Sequence, residues 1–294
     1  MLPAGLFFPF VTHLAIIGPG LLGGSIALAA RARGLHRVAL WARRPEAVEE
    51  IERRGIADLA STDLKSVVAG ADLVVLCVPV GAMPELAQQI VEFLPRAAVV
   101  TDVGSVKAKV CASLGGIFRS RARFVGSHPM AGSEQTGLAA ARAELFEGSV
   151  SIITPGPEAD LEAVALLEQF WSSLGCRVAH LAPEEHDEMV ALVSHLPHLL
   201  AATLVNLISS ENARAFDFCG PGFRDTTRVA SGPPAMWAEI LATNHEPVRR
   251  AAEAMIEKLR EIVTLLDRDP PMTDFLTQAK TQRDRLRLPK TPHV

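Results

Sequence analysis

The sequence predicts an α/β domain built on a mostly parallel sheet, followed by an all-helical domain. Three observations carry that prediction. Short, continuous apolar runs alternate with helical periodicity through residues 1–182. A glycine-rich turn joins the first of those runs to the first helix. After Pro183 the strand signals stop, and nearly everything reads as helix.

Leu14–Ile17 is continuously apolar, as a strand buried on both faces should be. Gly18-Pro19-Gly20-Leu21-Leu22-Gly23 follows at once, and residues 25–33 read as helix. In G-x-G-x-x-G the first glycine allows a tight turn and the second lets backbone approach a pyrophosphate. The third lets helix pack on strand. Free N–H groups and the dipole at the helix start then favour the anion. The first domain therefore reads as Rossmann-like. Gly18, Gly20, Leu22 and Gly23, with Val78 at the end of a later strand, are its expected cofactor contacts.

The second strand, Val38–Trp41, would end in an acid if the cofactor were NAD, to bind a ribose hydroxyl. It ends instead in Ala42-Arg43-Arg44-Pro45. Two guanidiniums attract a 2′-phosphate that a carboxylate would repel, so Arg43 and Arg44 favour NADP over NAD. The plain alternative is a solvated arginine pair at a helix start.

Helices are expected at 46–54, 63–69, 83–93 and 161–174, and strands at 72–78, 97–100, 124–126, 150–153 and 177–181. The strand at 97–100 runs into the polar turn Thr101-Asp102-Val103-Gly104-Ser105-Val106-Lys107. The strand at 124–126 runs into Ser127-His128-Pro129-Met130-Ala131-Gly132-Ser133-Glu134, read as a loop at the sheet's carboxyl edge, where such sheets bind ligands. His128 is the one side chain there able to take a proton near neutral pH.

In the second domain, placed at 183–294, helical periodicity covers 184–210 and continues at 235–241, 247–266 and 274–285. Ser194-His195-Leu196-Pro197-His198 lies in an apolar helix that Pro197 should kink. A neutral His195 suits a donor to a substrate oxygen, and a satisfied core histidine suits His198. Arg224 and Arg228 are four apart, on one face if helical. Arg228, followed by Val229-Ala230, reads as the one aimed into a cleft, where a substrate carboxylate would pair with it. Ala251, Met255, Leu259, Ile262 and Leu266 form an apolar face that predicts a helical homodimer.

Composition excludes other classes. The net charge is −4 over 294 residues, with no basic block or basic-aromatic face, which argues against nucleic acid. Cys77, Cys111, Cys176 and Cys219 are far apart and form no C-x-x-C, which argues for a reducing, cytoplasmic setting without structural zinc. The apolar residues 1–11 lack a positive n-region and a cleavage site, so no signal peptide is expected. No apolar run reads as long enough to cross a bilayer, and the tail after Leu288 reads as disordered.

Taken together, Gly18 to Ser25, Asp102 to Lys107, Ser127 to Glu134, Ser194 to His198 and Phe223 to Arg228 resemble the motifs of the prephenate/arogenate dehydrogenase family, in order. The resemblance implies a Rossmann domain, an all-α dimerisation domain of the 6-phosphogluconate-dehydrogenase kind, and a cleft between them. It implies oxidative decarboxylation of prephenate or arogenate with hydride transfer to a nicotinamide. It further implies His128 as proton acceptor, Ser127 orienting His128 and the nicotinamide, and His195 bonding substrate. Arg228 would bind a substrate carboxylate, Ser133 and Glu134 would line the pocket, and Arg224 would sit near its entrance. A dehydrogenase of the 6-phosphogluconate or hydroxyisobutyrate type would be expected to carry lysine where His195 stands. A non-catalytic dinucleotide sensor would leave His128, His195 and Arg228 unexplained.

Overall fold

The computed structural model describes residues 11–35, 37–132, 135–266 and 272–286. Most of the apolar N-terminal residues, Ser133, Glu134 and the tail after Leu288 lie outside them.

Six strands form one parallel sheet: β1 (Leu14–Ile17), β2 (Val38–Trp41), β3 (Leu59–Ser61), β4 (Leu73–Leu76), β5 (Val99–Asp102) and β6 (Arg123–Phe124). Their order is β3-β2-β1-β4-β5-β6, the doubly wound order whose strand reversal lies beside β1. Leu14 aligns with both Val38 and Leu73, which places the carboxyl ends of β1, β2 and β4 side by side. β3 was not expected; three residues bounded by Asp58 and Asp63 carry too little pattern to announce a strand.

Strand side chains alternate between two cores. Leu14, Ile16, Val75 and Val99 face one cluster, and Ala15, Ile17, Val74 and Val100 face the other. The first cluster is covered by α1 (Leu21–Ala32) and α6 (Leu161–Ser173), with Phe170 packed edge to face on Trp171 and Phe146 tilted against it. The second is covered by α3 (Leu64–Val68), α4 (Met83–Ile90) and α5 (Ala108–Phe118). Each large side chain fully withdrawn from water adds about 1.5–3 kcal/mol. α2 (Pro45–Arg54) flanks β2, ended by Gly55 in the left-handed conformation.

The segment expected as one strand and a loop is two strands. β6 ends the large sheet at Phe124, and β7 (Gly126–Pro129) opens a second sheet with β8 (Val150–Thr154) and β9 (Arg177–His180). β7 runs antiparallel to β8, with His128 opposite Ile152. The reading of His128 as a loop residue is thus corrected: it stands inside a strand, held by a ladder on one side.

The remaining elements are helical: α7 (Pro183–Val190), a π turn at Ala191–His195, α8 (Leu196–Asn212), α9 (Pro221–Thr227), α10 (Pro234–Thr243), α11 (His245–Leu266) and α12 (Met272–Arg285). Pro197 cannot donate to the carbonyl four residues back, and the wider π turn directly precedes it. The predicted kink is this register change. By length and composition the helical run Pro183–Phe218 does reach what a bilayer span requires, which corrects the contrary expectation. The core of the helical half is small: Ala191, Leu196, Val248 and Ala251. Leu192, Val193, Leu207, Leu259, Val263 and Leu266 remain exposed.

Candidate active site

The carboxyl edge of the large sheet begins with the glycine turn. Gly18 has φ +114°, and a Cβ there would lie 2.5 Å from the carbonyl oxygen of Cys77 and 3.0 Å from Val78. A Cβ on Gly23 would lie 2.0 Å from the carbonyl of Gly18, so helix and turn touch backbone to backbone. Gly20 has open space around its missing side chain. That is the cradle a pyrophosphate needs, and Leu22, half-buried, flanks it. The helix begins at Leu21, inside the motif, which puts its free N–H groups on the turn. Arg43 and Arg44 follow the end of β2 with both side chains exposed, and among the described residues neither pairs with a carboxylate.

Asp102, the last residue of β5, organises what lies beside that turn. Its carboxylate accepts from Gly104 N–H at 2.8 Å and pairs with Lys107, whose side chain is fully buried. Lys107 Nζ also donates to the carbonyl of Ser127 at 2.9 Å. A buried cation needs such a full set of acceptors. β7 is thereby fastened to the end of β5.

Alternation along β7 sends Ser127 and His128 to opposite faces. Ser127 Oγ donates to Asp102 O at 2.7 Å, and Thr101 Oγ1 and Trp171 Nε1 lie 2.9 and 3.1 Å from it. One donor and two lone pairs are then used, so Ser127 holds the two sheets together. The expectation that it orients His128 is corrected by this geometry.

The group that does touch His128 is His186, on α7. His128 Nδ1 lies 2.9 Å from His186 Nε2, and His186 Nδ1 lies 2.9 Å from Asp187 Oδ1. Asp187 accepts from Lys107 N–H at 2.7 Å and Ala108 N–H at 2.9 Å, capping the start of α5. Burial, then the neighbouring His186, Lys107 and His195, hold His128 well below the usual histidine range. Burial lowers His186 as well, while its bond to Asp187 works the other way.

His195 ends the π turn, fully buried. Its Nδ1 lies 3.1 Å from Asn244 Nδ2, which also donates to Asp187 O at 2.8 Å. Asn Nδ2 can only donate, so His195 Nδ1 accepts and the proton sits on Nε2. Among the described residues that Nε2 is buried with no partner at hydrogen-bond geometry, while the Ser105 backbone lies near enough to the ring to favour its charged form. Burial pushes its pKa down to about 4. His198 stacks on Trp237 at 3.6 Å, so its ring is packed, but among the described residues both of its buried nitrogens lack a hydrogen-bond partner, which corrects the expectation of a satisfied core histidine.

Arg224 and Arg228 are exposed, in α9 and the 3-10 turn Arg228–Ser231. The expectation of a buried guanidinium at 228 is corrected for the single chain, because the small helical core has little depth to bury it in. The residues missed in the sequence are His186, Asp187, Lys107, Asp102 and Asn244. Asp102 and Lys107 stood in a polar turn whose spacing hinted at a site; His186-Asp187 sits in a charged helix start that looks solvated.

Against families of known proteins, residues 26–180 match the model described as prephenate dehydrogenase, nucleotide-binding domain. Residues 182–279 match prephenate dehydrogenase, dimerization domain. The chain belongs to the prephenate dehydrogenase family.

Among relatives of this prephenate dehydrogenase family member, a cyclohexadienyl dehydrogenase of Zymomonas mobilis is 34% identical, covering 96% of this chain and 97% of the relative. The structure of prephenate dehydrogenase from A. aeolicus, in complex with hydroxyphenyl propionate and NAD+, superposes with TM-score 0.88 at 32% identity, covering 94% of this chain and 98% of that one. Synechocystis arogenate dehydrogenase superposes with TM-score 0.81 at 28% identity, covering 93% and 99%. The family's reaction class, NAD(P)-dependent dehydrogenation of prephenate or its amino counterpart, is therefore this chain's class.

Proposed function

We propose that the chain oxidatively decarboxylates prephenate or arogenate with NADP in preference to NAD, yielding 4-hydroxyphenylpyruvate or tyrosine and carbon dioxide. The observation that carries the reading is a pair of buried imidazoles, His128 and His195, each held by one ring nitrogen and close enough that His195 helps to lower the pKa of His128. His128 accepts the proton of the ring 4-hydroxyl, and His195 donates Nε2–H to a substrate oxygen. The bound nicotinamide supplies the acceptor for the hydride leaving C4. The electron pair of the ring–carboxylate bond then fills the ring as carbon dioxide departs. His128 returns its proton to the new phenol oxygen, so the base ends as it began. Rearomatisation drives the step, leaving orientation and one base as the protein's task.

Gly18, Gly20, Leu22, Gly23 and Val78 hold the dinucleotide, and the unpaired Arg43 and Arg44 favour a 2′-phosphate. Arg228 binds a substrate carboxylate, with Arg224 near the entrance; Ser133 and Glu134 line the side-chain end in this reading. We place the division between the halves at 182/183. The exposed apolar faces of α8 and α11 pack on a second copy, giving a homodimer.

The deciding experiment assays purified protein with each substrate against each cofactor. The expected result is cofactor reduction with at least one substrate and a higher kcat/KM for NADP than for NAD. Absence of turnover in all four combinations refutes the activity, and preference for NAD refutes the role of the arginine pair.

A further inference from the structure

We propose that His186, backed by Asp187, is a positioning residue that fixes the tautomer of His128 and carries part of the charge His128 acquires. The proposal deepens the reading above and rests on it. It begins from hydrogen-bond bookkeeping. A carboxylate only accepts, so the contact between Asp187 Oδ1 and His186 Nδ1 puts the proton on that nitrogen. A neutral His186 then presents Nε2 as a lone pair. His128 Nδ1, 2.9 Å away, must therefore be the donor. The remaining nitrogen of His128, Nε2, is left as its lone-pair nitrogen, the atom a base requires. Without His186, nothing named here selects Nδ1–H over Nε2–H, and the two neutral tautomers differ in which can take a proton from the cleft side.

Proton balance is closed. Nε2 takes the hydroxyl proton, and the imidazolium formed keeps its Nδ1–H on His186. His186 in turn leans on the Asp187 anion, and the proton returns to the phenol oxygen at the end. Among the described residues, the charged or titratable groups around His128 come from three elements. His186 and Asp187 come from α7, Lys107 and Asp102 from the β5–α5 turn, and His195 from the π turn. Lys107 opposes a charge on His128, and Asp187 offsets that opposition only through His186. Asp187 is itself held by two backbone N–H groups at the start of α5, which keeps it an acceptor.

The test compares His186→Ala and His186→Gln with the unmodified enzyme. Glutamine presents a carbonyl to His128 Nδ1 and an amide to Asp187, whereas alanine presents neither. Alanine should lower kcat by 10-fold or more with little change in substrate KM, and glutamine should recover most of that loss. The acid limb of kcat/KM should also lie at lower pH in His186→Ala than in His186→Gln, because alanine takes away the acceptor that offsets the imidazolium charge on His128. A general loss of packing would not move the limb or distinguish the two variants. Equal loss in both with an unmoved limb overturns the proposal. A second measurement needs no variant at that position: 15N spectra of histidine-labelled enzyme, with His128 assigned through His128→Asn. Neutral His128 protonated at Nδ1 supports the proposal, and protonation at Nε2 overturns it whatever the variants do. Inactive but folded protein with the Nδ1 tautomer would refute the proposed reaction while leaving the tautomer assignment standing.

Discussion

A base near neutral pH is ordinarily expected to lose activity around pH 6.5. Burial of His128 among His186, Lys107 and His195 lowers that value, so the acid limb of kcat/KM should lie well below 6.5. A limb at or above 6.5 would assign the proton transfer to another group. His128→Asn should reduce kcat by about two to four orders of magnitude and leave the dinucleotide affinity nearly unchanged; a mild loss would remove His128 from its role. That His128 and His195 are brought together as buried imidazoles could be suspected from the sequence because each stands in a motif. His186 was not legible there, since its meaning depends on a contact 58 positions away with β7. Ser127 was misread because strand alternation, which turns it away from His128, was hidden by treating the segment as a loop.

Among the elements, the β2–α2 turn carries a test of its own. Arg43 and Arg44 follow a fully buried strand and end in solvent. Replacing both with alanine should raise KM for NADP by roughly 10-fold or more, from lost charge-assisted bonds of about 1.5–3 kcal/mol, and change KM for NAD little. Equal effects on both cofactors would show the pair to be only a solvated helix start. The strands β1, β2 and β4 were readable to within two residues because strands buried on both faces are apolar throughout. The break between β6 and β7 was not, since Val125 bridges them without a turn residue to mark the change of sheet.

Across the whole molecule, His13, His128, His186, His195 and His198 are all buried, with pKa values pushed down chiefly by burial. Well above pH 6.5 these groups are neutral whether folded or unfolded and add no pH dependence to stability. Below it the unfolded chain binds protons that the folded one refuses, so stability falls until each folded pKa is reached. The slope is up to about 1.4 kcal/mol per pH unit for each such histidine. Urea midpoints at pH 8.5, 7.5 and 5.5 should therefore be nearly level over the first interval and drop over the second; a level second interval would show that these rings are charged or exposed in the folded state. The order of the domains was legible from periodicity. The arrangement between them was not, because Trp237, Glu239 and Ile240 reach across from α10 to the sheet's core and to Gly81 through contacts that no local pattern announces.

The carboxylate of Asp187 ties chemical competence to posture. It grips two amides at the tip of α5 and steadies His186 with the same oxygen pair. A swing that parted α7 from α5 would orphan those amides and unseat the ring behind His128 in one movement. In the proposed reaction, such a parting would leave His128 without the support that prepares it to accept a proton.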